Sequence, residues 1–205
     1  MVTSTAIYIR FDRGYNLPAF SRIGGSRESV SAPSAHTFDV VAAACEAEGL
    51  TLANAERLGR EIARAFGVKE DEVGILRLEK RNLAFCYPDK LKSVGSIPLN
   101  TSNSIAVRTV NSRRAEIINN FAQIKHTSIF EAVELATDNS GLRAERHSRV
   151  IQKMMSVPVL GVEGAVGVVQ VCRKGISGPE AGPDFSQSDL QKLVTVAASL
   201  AKCFK

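Results

Sequence analysis

The sequence of 205 residues predicts an α+β fold built on a central antiparallel sheet. Met154 to Val162 and Ala165 to Arg173 are β-rich apolar runs joined by Glu163-Gly164, a pattern typical of a tight hairpin. One apolar stripe at helical spacing follows, formed by Leu190, Leu193, Val194, Ala197, Leu200, Ala201 and Phe204. Hairpin-joined strands with helices towards both ends of the sequence favour an antiparallel sheet whose helices pack on a face.

Two helices are predicted before the first strand of this sheet. The first runs from Thr37 to Glu48 and ends at Gly49. The second has Thr51 as its N-cap, and Gly67 stands where a left-handed residue closes a helix.

Residues 1–36 differ in character from the rest of the sequence. They contain turn-rich stretches such as Gly24-Gly25-Ser26, together with one apolar patch at residues 7–11 that could add a strand. We therefore treat residues 1–36 as an N-terminal extension whose order the sequence does not define, and residues 37–205 as one domain.

The middle of the sequence predicts four more extended segments and a short helix. The segments run from Val73 to Leu78, Leu83 to Tyr87, Val94 to Leu99 and Ala115 to Asn119. The short helix begins at Ser104 and continues through Val110.

Capping patterns predict two further helices. Ser128 and Glu131 have capping-box spacing ahead of an apolar segment, and Ser186 and Asp189 repeat that spacing at the start of the last helix. Within the C-terminal hairpin, Pro158 lacks an amide donor, so we expect it at an edge or facing away from the ladder.

Composition indicates an ordinary globular protein. The hydrophobic fraction is 44% and the charged fraction 23%, and no uncharged apolar run approaches the length that crosses a bilayer. We do not expect a secretion signal, because Arg10, Asp12 and Arg13 interrupt the first residues early. A cytoplasmic location without a membrane partner is the expectation.

Charge and cysteine usage exclude several classes of partner. The net charge is +5, but lysines and arginines are spread along the chain and Trp is absent, which disfavours a nucleic-acid partner. Cys45, Cys86, Cys172 and Cys203 are scattered, with no Cys-x-x-Cys pair and no histidine close by. A metal site is therefore disfavoured, and buried free thiols in a reducing compartment are expected.

The order of several short motifs resembles the GAF family. The motifs are Val94 to Leu99, Ser104 to Ser112, Glu116 to Ile118, Met155 to Val159, Gly167 to Val171 and Asp184 to Leu190. The resemblance runs from about Thr51 to the end of the sequence. It implies a central antiparallel sheet, terminal helices on one face that often pair between subunits, and a ligand pocket on the other face beside the irregular middle connection.

The resemblance leaves the cofactor unknown. Bilins attach to GAF domains through a cysteine, and residues 120–153 contain none. Asn119-Asn120-Phe121 does not match the cyclic-nucleotide signature. The enzymatic members, free-methionine-sulfoxide reductases, need a nucleophilic and a resolving cysteine, so the lack of a cysteine in residues 120–153 also disfavours that activity.

Candidate ligand-contacting residues surround the short middle helix and the middle connection. They are Ser102, Asn103, Ser104, Arg108, Asn119, His126, Phe130 and His147. A helix N-terminus presents free amides to an anion, although Ser102, Asn103 and Ser104 are equally suited to plain capping. His126 and His147 flank the irregular segment, and solvated loop histidines are the alternative interpretation.

The function that the resemblance implies is a non-enzymatic sensor. It would bind a small molecule and pass a signal through its terminal helices to a separate protein. The alternative is a ligand-free scaffold that forms a homodimer through the terminal helices, where Val194, Ala197 and Ala201 are small enough for close approach. A free-methionine-sulfoxide reductase is the second alternative.

Overall fold

The computed structural model describes residues 7–9, 35–101, 103–124 and 149–204. In chain order the elements are β1 (Ile7–Ile9), α1 (Ala35–Glu48), α2 (Leu52–Phe66), β2 (Val73–Glu79), β3 (Asn82–Tyr87), β4 (Ser96–Pro98), α3 (Ile105–Ser112), β5 (Ala115–Ile118), β6 (Val150–Leu160), β7 (Ala165–Gly175) and α4 (Gln187–Leu200). This is the α+β arrangement that the sequence predicts.

The strands form one antiparallel sheet in the order β1-β5-β6-β7-β2-β3-β4. The long β6–β7 hairpin lies at its centre, with Met155 opposite Val171 and Ser156 opposite Gln170. Nearly every residue of β6 is buried, because helices cover both faces of the sheet at this point. A strand that is buried on both faces needs apolar residues on both, which explains the β-rich apolar run that begins at Met154.

Helices α1, α2 and α4 cover one face of the sheet, called here the terminal-helix face. Helix α2 packs on β2 and β3, α4 packs on β5 and β6, and α1 lies against α2 and α4. The buried residues between these layers include Leu58, Ile62, Val169 and Leu193. Gly59 allows α2 to approach the sheet closely, because a Cβ at this position would overlap the Tyr87 ring.

Local capping sets the ends of these helices as predicted. The Thr51 hydroxyl accepts a hydrogen bond from the Asn54 amide, and Gly67 closes α2 with a φ of 59°. Ser186 and Asp189 form a complete capping box at the start of α4.

Helix α3 covers the opposite face, called here the α3 face, where it packs on β6 and β7. The buried residues on this side of the sheet include Leu83, Phe85, Met154 and Val168. Ile124 and Ile151, which lie near the two ends of residues 125–148, also pack on this side.

Four details differ from the predicted elements or extend them. Residues 7–9 form a strand that pairs with β5, so the apolar patch of the N-terminal extension contributes to the sheet. Helix α1 begins at Ala35, two residues early. Within the predicted segment from Val94 to Leu99, Ser96–Pro98 forms a strand, and Val94 instead ends the 3-10 helix Asp89–Val94.

The fourth detail concerns Pro158, which lies in a central strand. The pairing of β5 with β6 ends at Ser156, so no described strand lies beside Pro158 on that side. The missing amide donor therefore breaks no ladder on that side. The helix predicted from Ser128 lies outside the described residues.

None of the helices in the described ranges is long and apolar enough to cross a membrane.

Candidate functional site

The α3 face holds a short helix with a well-defined start. Ser104 caps α3, because its hydroxyl accepts a hydrogen bond from the Val107 amide at 3.4 Å. Ser104 is buried, and Ile105, Ala106, Val107 and Val110 anchor the helix in the α3-face core. The cap and the anchors fix which side of α3 faces the sheet and which side stays accessible.

An ion pair joins α3 to the sheet. Arg108 Nε donates to Glu116 Oε1 at 3.1 Å, and Arg108 Nη2 donates to Glu116 Oε2. The Glu116 side chain is 2% exposed and that of Arg108 43% exposed. The guanidinium thus neutralises a carboxylate that the sheet holds away from water, an arrangement that a buried charge requires.

A buried hydrogen-bond chain runs beneath α3. The Thr109 hydroxyl donates to the Ile105 carbonyl at 2.8 Å and lies 2.7 Å from the Ser156 hydroxyl. The Gln170 amide donates to Ser156 Oγ at 3.1 Å. Because the Thr109 proton is committed to Ile105, the Ser156 hydroxyl donates to Thr109, and all the bonds point the same way.

An open groove of about 420 Å³ lies along the accessible side of α3. It is lined by Leu99, Asn100, Thr101, Val107, Arg108, Asn111 and Ser112. Two apolar side chains and several hydrogen-bonding groups thus converge on one concavity, in the size range that small ligands occupy. The bound Glu116 carboxylate offsets the charge of Arg108, so this groove suits a polar ligand without large net charge.

The predicted site residues divide into four groups. Arg108 lines the groove, whereas Ser104 caps the helix. Asn103 is exposed immediately before that cap. Asn119 holds the chain ahead of α4, because its amide group exchanges two hydrogen bonds of 3.0 Å with the backbone of Phe185. Ser102, His126, Phe130 and His147 lie outside the described residues.

Sequence reasoning missed several residues of this face, namely Glu116, Thr109, Ser156, Gln170, Asn100, Thr101, Asn111 and Ser112. Two of them carry a recognisable signal, since Ser156 and Gln170 are polar residues inside otherwise apolar β-runs. The groove residues carry none, because their convergence depends on how α3 lies beside the loop after β4.

The four cysteines divide between the faces of the sheet. Cys172 belongs to the α3-face core, while Cys45 and Cys203 are buried on the terminal-helix face. Cys86 is half-buried and packs against the terminal-helix core, where burial raises its pKa. A second cysteine thiol beside Cys172 is therefore absent from the α3 face, since all four cysteines lie in the described ranges.

Comparisons with solved structures identify the fold. The GAF domain of an Acinetobacter phosphoenolpyruvate-protein phosphotransferase has a TM-score of 0.55 and 16% identity, covering 82% of this chain and 90% of that chain. A similar domain from Coxiella burnetii gives 0.53 and 11%, with 82% and 93% covered. The free methionine-R-sulfoxide reductase of Neisseria meningitidis, solved with its substrate, gives 0.56 and 16%, with 89% and 95% covered.

The chain therefore has the fold of a GAF domain. The sequence matches no protein-family model and no curated protein. At these identities the likeness establishes architecture alone, and the neighbours include both a phosphotransferase domain and a reductase, so activity has to be argued from the site.

Proposed function

We propose that the chain is a non-enzymatic regulatory GAF module that binds a small polar molecule in the groove beside α3. The observation that carries this proposal is the convergence of Asn100, Thr101, Arg108 and Asn111 on one concavity. The sheet below that groove is rigid, because the hydrogen-bond chain and the Arg108–Glu116 pair lock α3 to β5 and β6. A preformed groove on a rigid base lowers the entropy cost of ordering a ligand.

The distribution of thiols supports a binding role over a reductase role. Reduction of a sulfoxide by a thiolate leaves an oxidised sulfur that a second thiol must resolve. Cys172 is 1% exposed and has no cysteine thiol beside it on the α3 face. The reductase alternative would need cysteines that occupy the opposite side of the sheet.

Transmission through the terminal helices to a separate protein in the cytoplasm belongs to the same proposal. Homodimerisation would have to use the outward surfaces of α1, α2 and α4. The small residues that suggested close approach are engaged within the chain. Val194 and Ala197 of α4 are buried in the terminal-helix core, and Ala201, just after α4, packs against it.

Native mass spectrometry of freshly purified protein, followed by thermal melts with a metabolite collection, tests this proposal. We expect a stoichiometric small molecule, or a compound that raises Tm by roughly 5–10 °C when present at about 100 times its Kd. Absence of both, or thiol-dependent reduction of free methionine sulfoxide that is lost in Cys172→Ser, would overturn it.

A further inference from the structure

Two cysteines from distant parts of the sequence meet on the terminal-helix face. Cys45 lies in α1 and Cys203 in the 3-10 turn Ala201–Cys203 after α4. Both side chains are fully buried in the terminal-helix core. Two cysteines that are 158 positions apart in the sequence thus lie in one buried core.

Neighbouring contacts hold these two elements together. Cys203 Sγ lies 3.8 Å from the Ala42 carbonyl, one helical turn before Cys45. Lys202 Nζ lies 3.4 Å from the Glu46 carboxylate, the residue after Cys45. Two successive residues of the turn therefore contact two positions of α1 that lie one helical turn apart, on either side of Cys45, and this places Cys203 beside Cys45.

We propose that Cys45 and Cys203 form a redox modification site, in which a hydroperoxide converts the thiol pair to a disulfide that ties α1 to the turn after α4. This site lies on the opposite side of the sheet from the α3 groove and is independent of the proposed ligand function. A disulfide needs the two sulfurs about 2.05 Å apart, so its formation requires the two thiols to approach each other by side-chain rotation.

The chemistry balances with hydrogen peroxide as the only co-reactant. One thiolate attacks a peroxide oxygen and breaks the O–O bond, which gives a sulfenic acid and a hydroxide that is protonated to water. The second sulfur attacks the sulfenic sulfur, forms the S–S bond and expels a second water after its thiol proton is released. Two thiols lose two electrons in total, and the peroxide gains them.

The surroundings keep the pair reduced and slow to react until the turn opens. Burial raises the pKa of the Cys45 thiol and is the largest cause. The Cys203 side chain lowers this pKa, the charge of Glu48 raises it and that of Arg57 lowers it, with a net rise. A 3-10 turn has weaker hydrogen-bond geometry than an α-helix and opens locally at lower cost. Oxidation therefore follows opening of Ala201–Cys203.

The test uses the full chain, reduced, freed of reductant and then exposed to hydrogen peroxide. Intact mass is expected to fall by two hydrogen atoms, and a non-reducing peptide map should link the peptide containing Cys45 to that containing Cys203. Tm should rise by roughly 5–15 °C in the oxidised protein and return with dithiothreitol. Four cysteines that remain alkylatable, or a link through Cys86, Cys172 or a second chain, would overturn the assignment.

Variants separate this site from general oxidation. Cys203→Ser should abolish both the intramolecular link and the rise in Tm, whereas Cys86→Ser should retain both. Loss of the effects in Cys86→Ser would contradict the proposal. If Cys203→Ser does not fold, the peptide map of the oxidised unsubstituted chain decides, because it identifies the linked cysteines directly.

Discussion

The two faces of the sheet are built differently. Beneath α1, α2 and α4 the centre of the layer is apolar, with Leu58, Ile62 and Leu193 fully buried. Beneath α3 the apolar core is interrupted by Thr109, Ser156, Gln170 and Glu116, all buried and all hydrogen-bonded.

The difference separates stability from binding. Removing apolar area from water stabilises a fold without specifying geometry, whereas a satisfied polar network fixes one arrangement and contributes less net free energy. The terminal-helix face therefore supplies most of the stability of the domain. The α3 face holds one helix and its groove in a defined position, which is what a binding site requires.

The largest effect is expected from Ile62→Ala on the terminal-helix face. This change leaves a cavity between α2 and the sheet, and we expect the free energy of unfolding to fall by about 2–5 kcal/mol. Equilibrium denaturation in urea measures it. A loss below about 1 kcal/mol would show that this face is not the main source of stability.

Asn119→Ala should have the next largest effect. It removes both hydrogen bonds to the Phe185 backbone and leaves those groups without their partner, which costs about 1–3 kcal/mol. Ligand retention should be unchanged, because Asn119 holds the start of α4 and does not line the groove. If Asn119→Ala instead lost the retained compound without a change in stability, Asn119 would be a ligand-contacting residue and this account would be wrong.

Alkaline pH should lower the stability of the protein through Tyr87, which is buried on the terminal-helix face. Burial and the charge of Glu70 raise the pKa of its hydroxyl from 10.0 to about 12. The folded state therefore favours the neutral phenol, and this contribution to stability is complete below pH 10 and is lost as the pH rises towards 12. Tyr87→Phe should show a shallower loss of stability over that interval, measured by urea denaturation at several pH values. Equal slopes would contradict the assignment.

The smallest effect is expected at the α4 cap. Ser186→Ala removes the hydroxyl that accepts a hydrogen bond from the Asp189 amide. We expect the free energy of unfolding to fall by about 1 kcal/mol. Burial alone would raise the pKa of Asp189, but the hydrogen bonds from Ser186 lower this pKa by more. The net shift of the pKa is therefore downward. Its contribution to stability is present at neutral pH and disappears on acidification through the lowered pKa. Ser188→Ala, just inside the helix, is the matched control.

Elements with local causes could be predicted from the sequence, and pairings across the sheet could not. Thr51, Gly67 and Ser186 act on amides or carbonyls within a few residues, so their patterns are readable directly. The contact of Thr109 with Ser156 joins residues 47 positions apart and depends on strand register and on the placement of α3.

Two of the predicted site residues have a structural role in place of the predicted ligand contact, for a related reason. Ser104 and Asn119 are polar residues at element boundaries, where capping and backbone bonding compete with ligand contact. The sequence predicts Arg108 as a site residue because it lies one turn into α3. Its ion pair with Glu116 could not be predicted from the spacing of the two residues in the sequence. The candidates from 125–148 stay predictions.

A paired measurement on two variants tests the division between the faces most directly. Asn111→Ala alters the groove, and Ile62→Val trims the terminal-helix core; each is compared for unfolding free energy and for small-molecule retention in native mass spectrometry. Asn111→Ala should lose the retained compound while stability changes by less than about 0.5 kcal/mol. Ile62→Val should keep the compound and lose about 0.5–1.5 kcal/mol. Retention by Asn111→Ala, or loss by Ile62→Val, would contradict the account.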